Sequence, residues 1–195
     1  MIMGKSVNAF LAKAGSLIVE LKERADVSPY IVSELTALFR EVKEAMEKIK
    51  ELETNIDSIA KTLKQYDLFR SAPGVGPITA ATMLVLLCNP EVFKNGREFA
   101  AYIGLAPKSS GSGGKNFVTH IPKKCECNND VRALLVQCAH SICRCKHKSD
   151  WVSSILARKP KKVAIIAIAN KLARQLWIMA KKGEKFEKRF ILAAV

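Results

Sequence analysis

Leu68-Phe-Arg-Ser-Ala-Pro-Gly-Val-Gly-Pro-Ile-Thr-Ala-Ala-Thr-Met-Leu-Val-Leu-Leu87 sets a Gly-apolar-Gly turn between two apolar segments, the pattern of a helix-hairpin-helix motif. Gly74 and Gly76 allow a tight turn without a Cβ clash, Val75 points inward as the anchor, and Pro77 suits the first position of a helix. The N–H groups opening that helix then face outward, toward an anion such as a backbone phosphate. Arg70, Lys94 and Arg97 flank the turn with positive charge. The same residues also suit a plain tight turn between helices.

Upstream, Val7, Phe10, Leu11, Ala14, Leu17, Ile18 and Leu21 recur at helical spacing until Asp26-Val-Ser-Pro29 interrupts them. From there a heptad begins. Leu35, Val42, Ile49, Ile56 and Leu63 fall seven apart, with Leu38, Ala45, Leu52, Ile59 and Tyr66 three residues after each, the spacing of a coiled-coil seam. Its partner is either the first helix folded back or a second copy of the chain, which makes a homo-oligomer one expectation.

Downstream, punctuation is denser. Helices are expected over Pro77–Leu87, Asn95–Ile103 with Gly104 as cap, Val131–Lys146, Asp150–Arg158, and from Pro160 to a cap at Gly183. Residues 107–116 read as a flexible loop, and Phe117–Ile121 as the one short strand. The last helix is expected to carry Lys161, Lys162, Lys171, Arg174, Lys181 and Lys182 around a core stripe of Val163, Ile166, Ala169, Leu172 and Leu176, with Trp177 buried beside it. The fold class is therefore all-α: a coiled-coil helical hairpin in residues 1–66, then a compact helical domain with a helix-hairpin-helix motif in residues 67–195.

Charge divides the chain at the same place. Residues 1–66 hold ten basic and ten acidic side chains, so the remaining 22 basic and 8 acidic ones put the whole net charge of +14 into residues 67–195. Such asymmetry points to nucleic acid before membrane. Lys13 interrupts the apolar N-terminal stretch and Val163–Ala169 is too short a run to span a bilayer, so a cytoplasmic protein is expected, without a membrane partner. Cys125, Cys127, Cys138, His140, Cys143, Cys145 and His147 could supply zinc ligands, but no C-x-x-C pair occurs and three of the cysteines fall in an expected helix, so no metal site is assigned. His120 reads as a surface or base-stacking residue.

Several blocks then occur in one order: Ala72-Pro-Gly-Val-Gly-Pro-Ile-Thr-Ala-Ala81, Phe93 to Pro107, Ser112-Gly-Gly-Lys115, Ile121-Pro-Lys-Lys124, Arg132 to Ala139, Trp151, Ala157 to Ala164, and Ala169-Asn-Lys-Leu-Ala-Arg174. Together they resemble the C-terminal domain of the transposase family named after insertion sequences one-hundred-ten, one-hundred-sixteen and nine-hundred-two, related to the Piv DNA invertases. The heptad segment is similar to the helical region that family places between its domains.

The resemblance implies DNA as partner and a place in DNA transposition and recombination. It implies Ser112 as the nucleophile toward a DNA phosphodiester, on a glycine-rich loop where Lys108 or Lys115 could offset charge on phosphate oxygens. Lys123, Lys124 and Arg132 join the expected contacts, and a structured guide RNA is a further expected partner. The family's divalent metal, magnesium, sits in an acidic RuvC-like domain. This chain starts at Met1 just before the helical region and shows no comparable carboxylate set, so no cofactor is expected in it. It is not expected to cut DNA unless a separately encoded catalytic domain assists. The alternative reading is a catalytically inactive remnant that binds nucleic acid, self-associates and modulates full-length transposase.

Overall fold

In the computed structural model, residues 7–24, 26–63, 65–107, 109–112, 115–118, 128–146 and 148–186 are described. Apolar residues at helical spacing form α1, Val7–Glu23, and Pro29 opens the long α2, Pro29–Ala60. An exposed Arg24–Asp26 ion pair at 2.7 Å spans the bend between them. A Cβ at Gly15 would lie 3.5 Å from the Phe39 ring, so the small residue lets α1 approach the start of α2. Leu35, Leu38, Val42, Ile49 and Leu52 remain exposed along α2.

The heptad expected to continue to Tyr66 stops at Ala60. There the backbone tightens into turns, with the Thr62 hydroxyl donating to Ile59 O at 2.7 Å and Leu63 N donating to Ala60 O at 3.0 Å. Tyr66 leaves the seam and opens α3, Tyr66–Arg70, where it is fully buried. Its hydroxyl donates to Asp57, which also pairs with Lys61. Burial of a ring this large outweighs one more turn of exposed helix. The compact units divide between Asn55 and Ile56, and the charge changes after Tyr66; between these points lies the stretch that packs into the second core through Ala60.

The second unit continues with α4, Pro77–Leu86, a single 3-10 turn at Pro90–Val92, and α5, Gly96–Tyr102. A two-stranded ribbon follows, then α6, Asn129–Arg144, α7, Asp150–Arg158, and α8, Lys161–Lys182. Side chains cap the helices as their identities dictate. Asn95 Oδ1 accepts from Arg97 N and Glu98 N, both at 2.9 Å; Asn128 accepts from Val131 N, and Ser149 from Val152 N. Gly104 and Gly183 end α5 and α8 at φ of 81° and 69°.

Helix α8 is the centre of this unit, with α3, α5, α6 and α7 packed around it. Ala164, Ile165, Ile168, Ala169, Leu172, Leu176, Trp177 and Met179 are all buried, each large apolar side chain among them contributing about 2 kcal/mol. The expected stripe was too narrow. Val163 is exposed and Lys171 is buried, because a helix surrounded by neighbours has no single inner face. Among the described residues α8 is also the one helix long and apolar enough to cross a membrane, and 67% of its apolar window is buried in the unit, as in a core helix.

The ribbon corrects a second expectation. Residues 107–116 are not all loop: β1, Ser109–Ser112, pairs antiparallel with β2, Lys115–Val118, which starts earlier than the expected strand and shares Phe117 and Val118 with it, while residues 119–121 lie outside the described residues. The fold is otherwise helical, and all-α is its class.

Candidate nucleic-acid interface

The turn between α3 and α4 begins at Ser71, which caps the end of α3, and its two glycines differ. Gly74 has φ of 76°, and an added Cβ would lie 2.7 Å from the Cys138 carbonyl oxygen and 2.9 Å from Ile142. It is therefore required both by backbone conformation and by close approach to α6. Gly76 is extended, with φ of −85°, and nothing lies within 4 Å of an added Cβ. A Cβ would be accommodated there.

Val75 is buried as the anchor, and its carbonyl accepts from Arg70 Nη1 at 2.6 Å, so Arg70 braces the turn as well as charging it. On the inner side, the Cys138 thiol lies 3.5 Å from the Thr79 hydroxyl. Burial raises its pKa, partly offset by Thr79 and the Gly76 N–H. This thiol is part of the packing between α4 and α6, and Pro77 at the start of α4 has no N–H to satisfy.

The remaining expected contacts lie in several places. Lys94 is exposed, and its backbone N–H donates to Glu98 Oε2 at 2.7 Å. Arg97 is exposed at the start of α5, and Arg132 is half-buried, donating to Asn129 Oδ1 at 2.8 Å. Lys161 and Lys162 are exposed in the first turn of α8, which carries no acidic residue. Cations there oppose the helix dipole, a cost that a bound polyanion would offset. Lys171 departs from the expected basic face, with its Nζ 4.0 Å from the centre of the Trp151 ring. Its pKa is pushed down by burial and then by Arg174.

Ser112 and Lys115 close the ribbon as opposed residues of its last register pair. Lys108, Lys123, Lys124, His120, Cys125, Cys127 and His147 lie outside the described residues. Among the described residues no group of three or more His, Cys, Asp or Glu side chains could hold a metal ion. Cys138 is buried and Cys145 is exposed just past the end of α6, so the cysteines of that region do not share one core position.

Sequence reasoning passed over the polar row that α8 turns toward α5 and the 3-10 turn. Asn170 Nδ2 donates to Leu105 O at 3.0 Å, Trp177 Nε1 donates to Pro90 O at 2.9 Å, and Lys181 pairs with Glu91 at 3.3 Å. Arg174 lies in the same row. The signal was present in the spacing of 170, 174, 177 and 181, which returns to one helix face.

Residues 66–152 match the family described as Transposase IS116/IS110/IS902 family. The y4pF/y4sB protein of Sinorhizobium fredii is 35% identical over 185 residues, 90% of this chain and 47% of its own length. The transposase for insertion sequence element IS1328 of Yersinia enterocolitica is 31% identical over 88% of this chain and 52% of its own length. The transposase for insertion sequence element IS1111A of Coxiella burnetii is 28% identical over 87% of this chain and 47% of its own length. The chain thus spans about half the length of these relatives.

Proposed function

From a chain whose residues 66–152 carry a domain of the Transposase IS116/IS110/IS902 family, we propose a DNA-binding part of an insertion-sequence transposase. The observation that carries this reading is the union of that domain with a strongly basic second half: residues 67–195 hold the whole net charge of +14. The turn at Gly74–Gly76 and the lysines opening α8 offer contacts to backbone phosphates without base readout. Ser112 is the candidate nucleophile, at the end of β1 opposite Lys115. In the reaction its hydroxyl oxygen would attack phosphorus, its proton passing to a base, while the 3′ oxygen leaves.

Activation of that hydroxyl calls for the divalent metal that the resemblance assigns to an acidic domain outside residues 1–195. The described residues offer no group of His, Cys, Asp or Glu side chains that fits such a metal. A guide RNA would meet the same phosphate-binding charge. The exposed seam of α2 favours a second reading, a self-associating module that modulates a longer transposase.

The test is binding to duplex DNA across a salt series with wild type and Gly76→Glu. Gly76 is the informative glycine because an added Cβ there meets nothing within 4 Å, whereas a change at Gly74 would disturb α6. Steep salt dependence, with affinity falling about tenfold in the variant, is expected. Equal affinity would remove the turn from the interface. With an acidic domain supplied separately, strand cleavage that persists in Ser112→Ala would exclude Ser112 as nucleophile.

A further inference from the structure

Along the α8 row that faces α5, each polar side chain but one meets a partner. Asn170 and Trp177 donate to carbonyls and Lys181 to Glu91, whereas Arg174 Nε is buried with no hydrogen-bond partner. Guanidinium does not lose its proton in a protein, so this N–H is a buried, charged donor left unmatched.

Its neighbourhood is basic. Gly96 is buried against Arg174, where an added Cβ would sit 3.2 Å from the Arg174 Cα, Cβ and O, and the next residue in the chain is Arg97. Among the described residues neither Arg97 nor Arg174 makes a side-chain hydrogen bond or ion pair. The nearby carboxylates are already engaged: Glu98 accepts from Lys94 N, and Glu91 pairs with Lys181. Burial, and then the Arg97 charge, lower the Arg174 pKa, in line with two cations that no anion separates.

The geometry points to a two-arginine clamp, Arg97 from α5 and Arg174 from α8, that takes one phosphodiester of a nucleic-acid backbone. A tetrahedral phosphate offers several acceptor oxygens to planar N–H donors, which is the chemistry that satisfies two guanidinium groups at once. The glycine at 96 is what lets the two elements come close enough. The clamp specifies one site within the nucleic-acid reading and rests on it.

Two measurements on the full chain separate the clamp from that reading. In the first, inorganic phosphate is titrated against protein labelled at arginine Nε, with Arg158→Gln, at the exposed end of α7, as control. A saturable shift of the Arg174 Nε–H signal is expected in wild type and the control and is lost in Arg97→Gln, an exposed position whose change leaves the fold intact. An Arg174 signal that does not move, or moves equally in Arg97→Gln, overturns the clamp.

The second measures salt dependence of binding to duplex DNA and to an RNA hairpin, showing which polymer supplies the phosphate. Arg97→Gln is expected to lower the slope of log affinity against log salt by about one. The double variant with Arg174→Lys should lose less than the sum of the single effects, because both act on one phosphate. An unchanged slope with intact wild-type binding overturns the clamp and leaves the wider reading standing. Should wild type bind neither polymer, the wider reading fails and the phosphate titration still decides the clamp.

Discussion

Two glycines separated by one valine look equivalent in sequence and are not equivalent in structure. Gly74→Ala places a Cβ 2.7 Å from a backbone oxygen at a φ of 76°, so unfolding in urea should show a loss of about 2–4 kcal/mol. Gly76→Ala should change stability by less than about 0.5 kcal/mol. A large effect at Gly76 and none at Gly74 would contradict the packing of the turn on α6. The turn between two helices was legible because Pro-Gly-Val-Gly-Pro carries its own backbone constraints. Which glycine matters was not, since the answer depends on Cys138, far away in the chain. The same limit hid Arg174: it was readable as a basic residue, but its buried Nε is a property of the α5–α8 contact.

At the level of elements, helix spans were legible wherever caps and spacing agreed, as at Asn95, Ser149 and Gly183. They were misread where tertiary packing overruled a regular pattern, as at Tyr66. The ribbon escaped because Ser-Ser-Gly-Ser has little intrinsic strand preference, and pairing with Lys115–Val118 supplies what composition does not. The buried Tyr66 also makes the α2–α3 junction sensitive to alkali. Its phenol is pushed from 10.0 up to about 12 by burial and then by Asp57. The folded state thus holds the proton more tightly than the unfolded chain, so its stabilisation is complete below pH 10 and is lost as pH rises toward 12. Melting temperature measured across that window should fall in wild type, and Tyr66→Phe should flatten the part due to this group. A variant that melts with the same alkaline slope would show that other groups set it.

For the molecule as a whole, the two units pose different questions. Exposed Ile49 and Leu52 on α2 belong to the regular heptad, and a seam of that kind is stable only when covered. Sedimentation should give twice the chain mass for wild type and the single-chain mass for Ile49→Glu/Leu52→Glu. A wild type that stays single at high concentration would place the missing partner outside this chain. The second unit carries the whole net charge of +14, and that asymmetry was legible from the sequence alone.

The position of α8 governs the order in which the second unit can form. The last long helix closes bonds to residues made much earlier: Trp177 to Pro90, Asn170 to Leu105, and, just beyond α8, Phe186 N to the Ser71 hydroxyl. During synthesis α3, α5, α6 and α7 therefore emerge with the surfaces that pack on α8 bare. Completion of the core thus waits for residues up to 182, and a chain cut short before them is expected to expose apolar surface to proteases and aggregation.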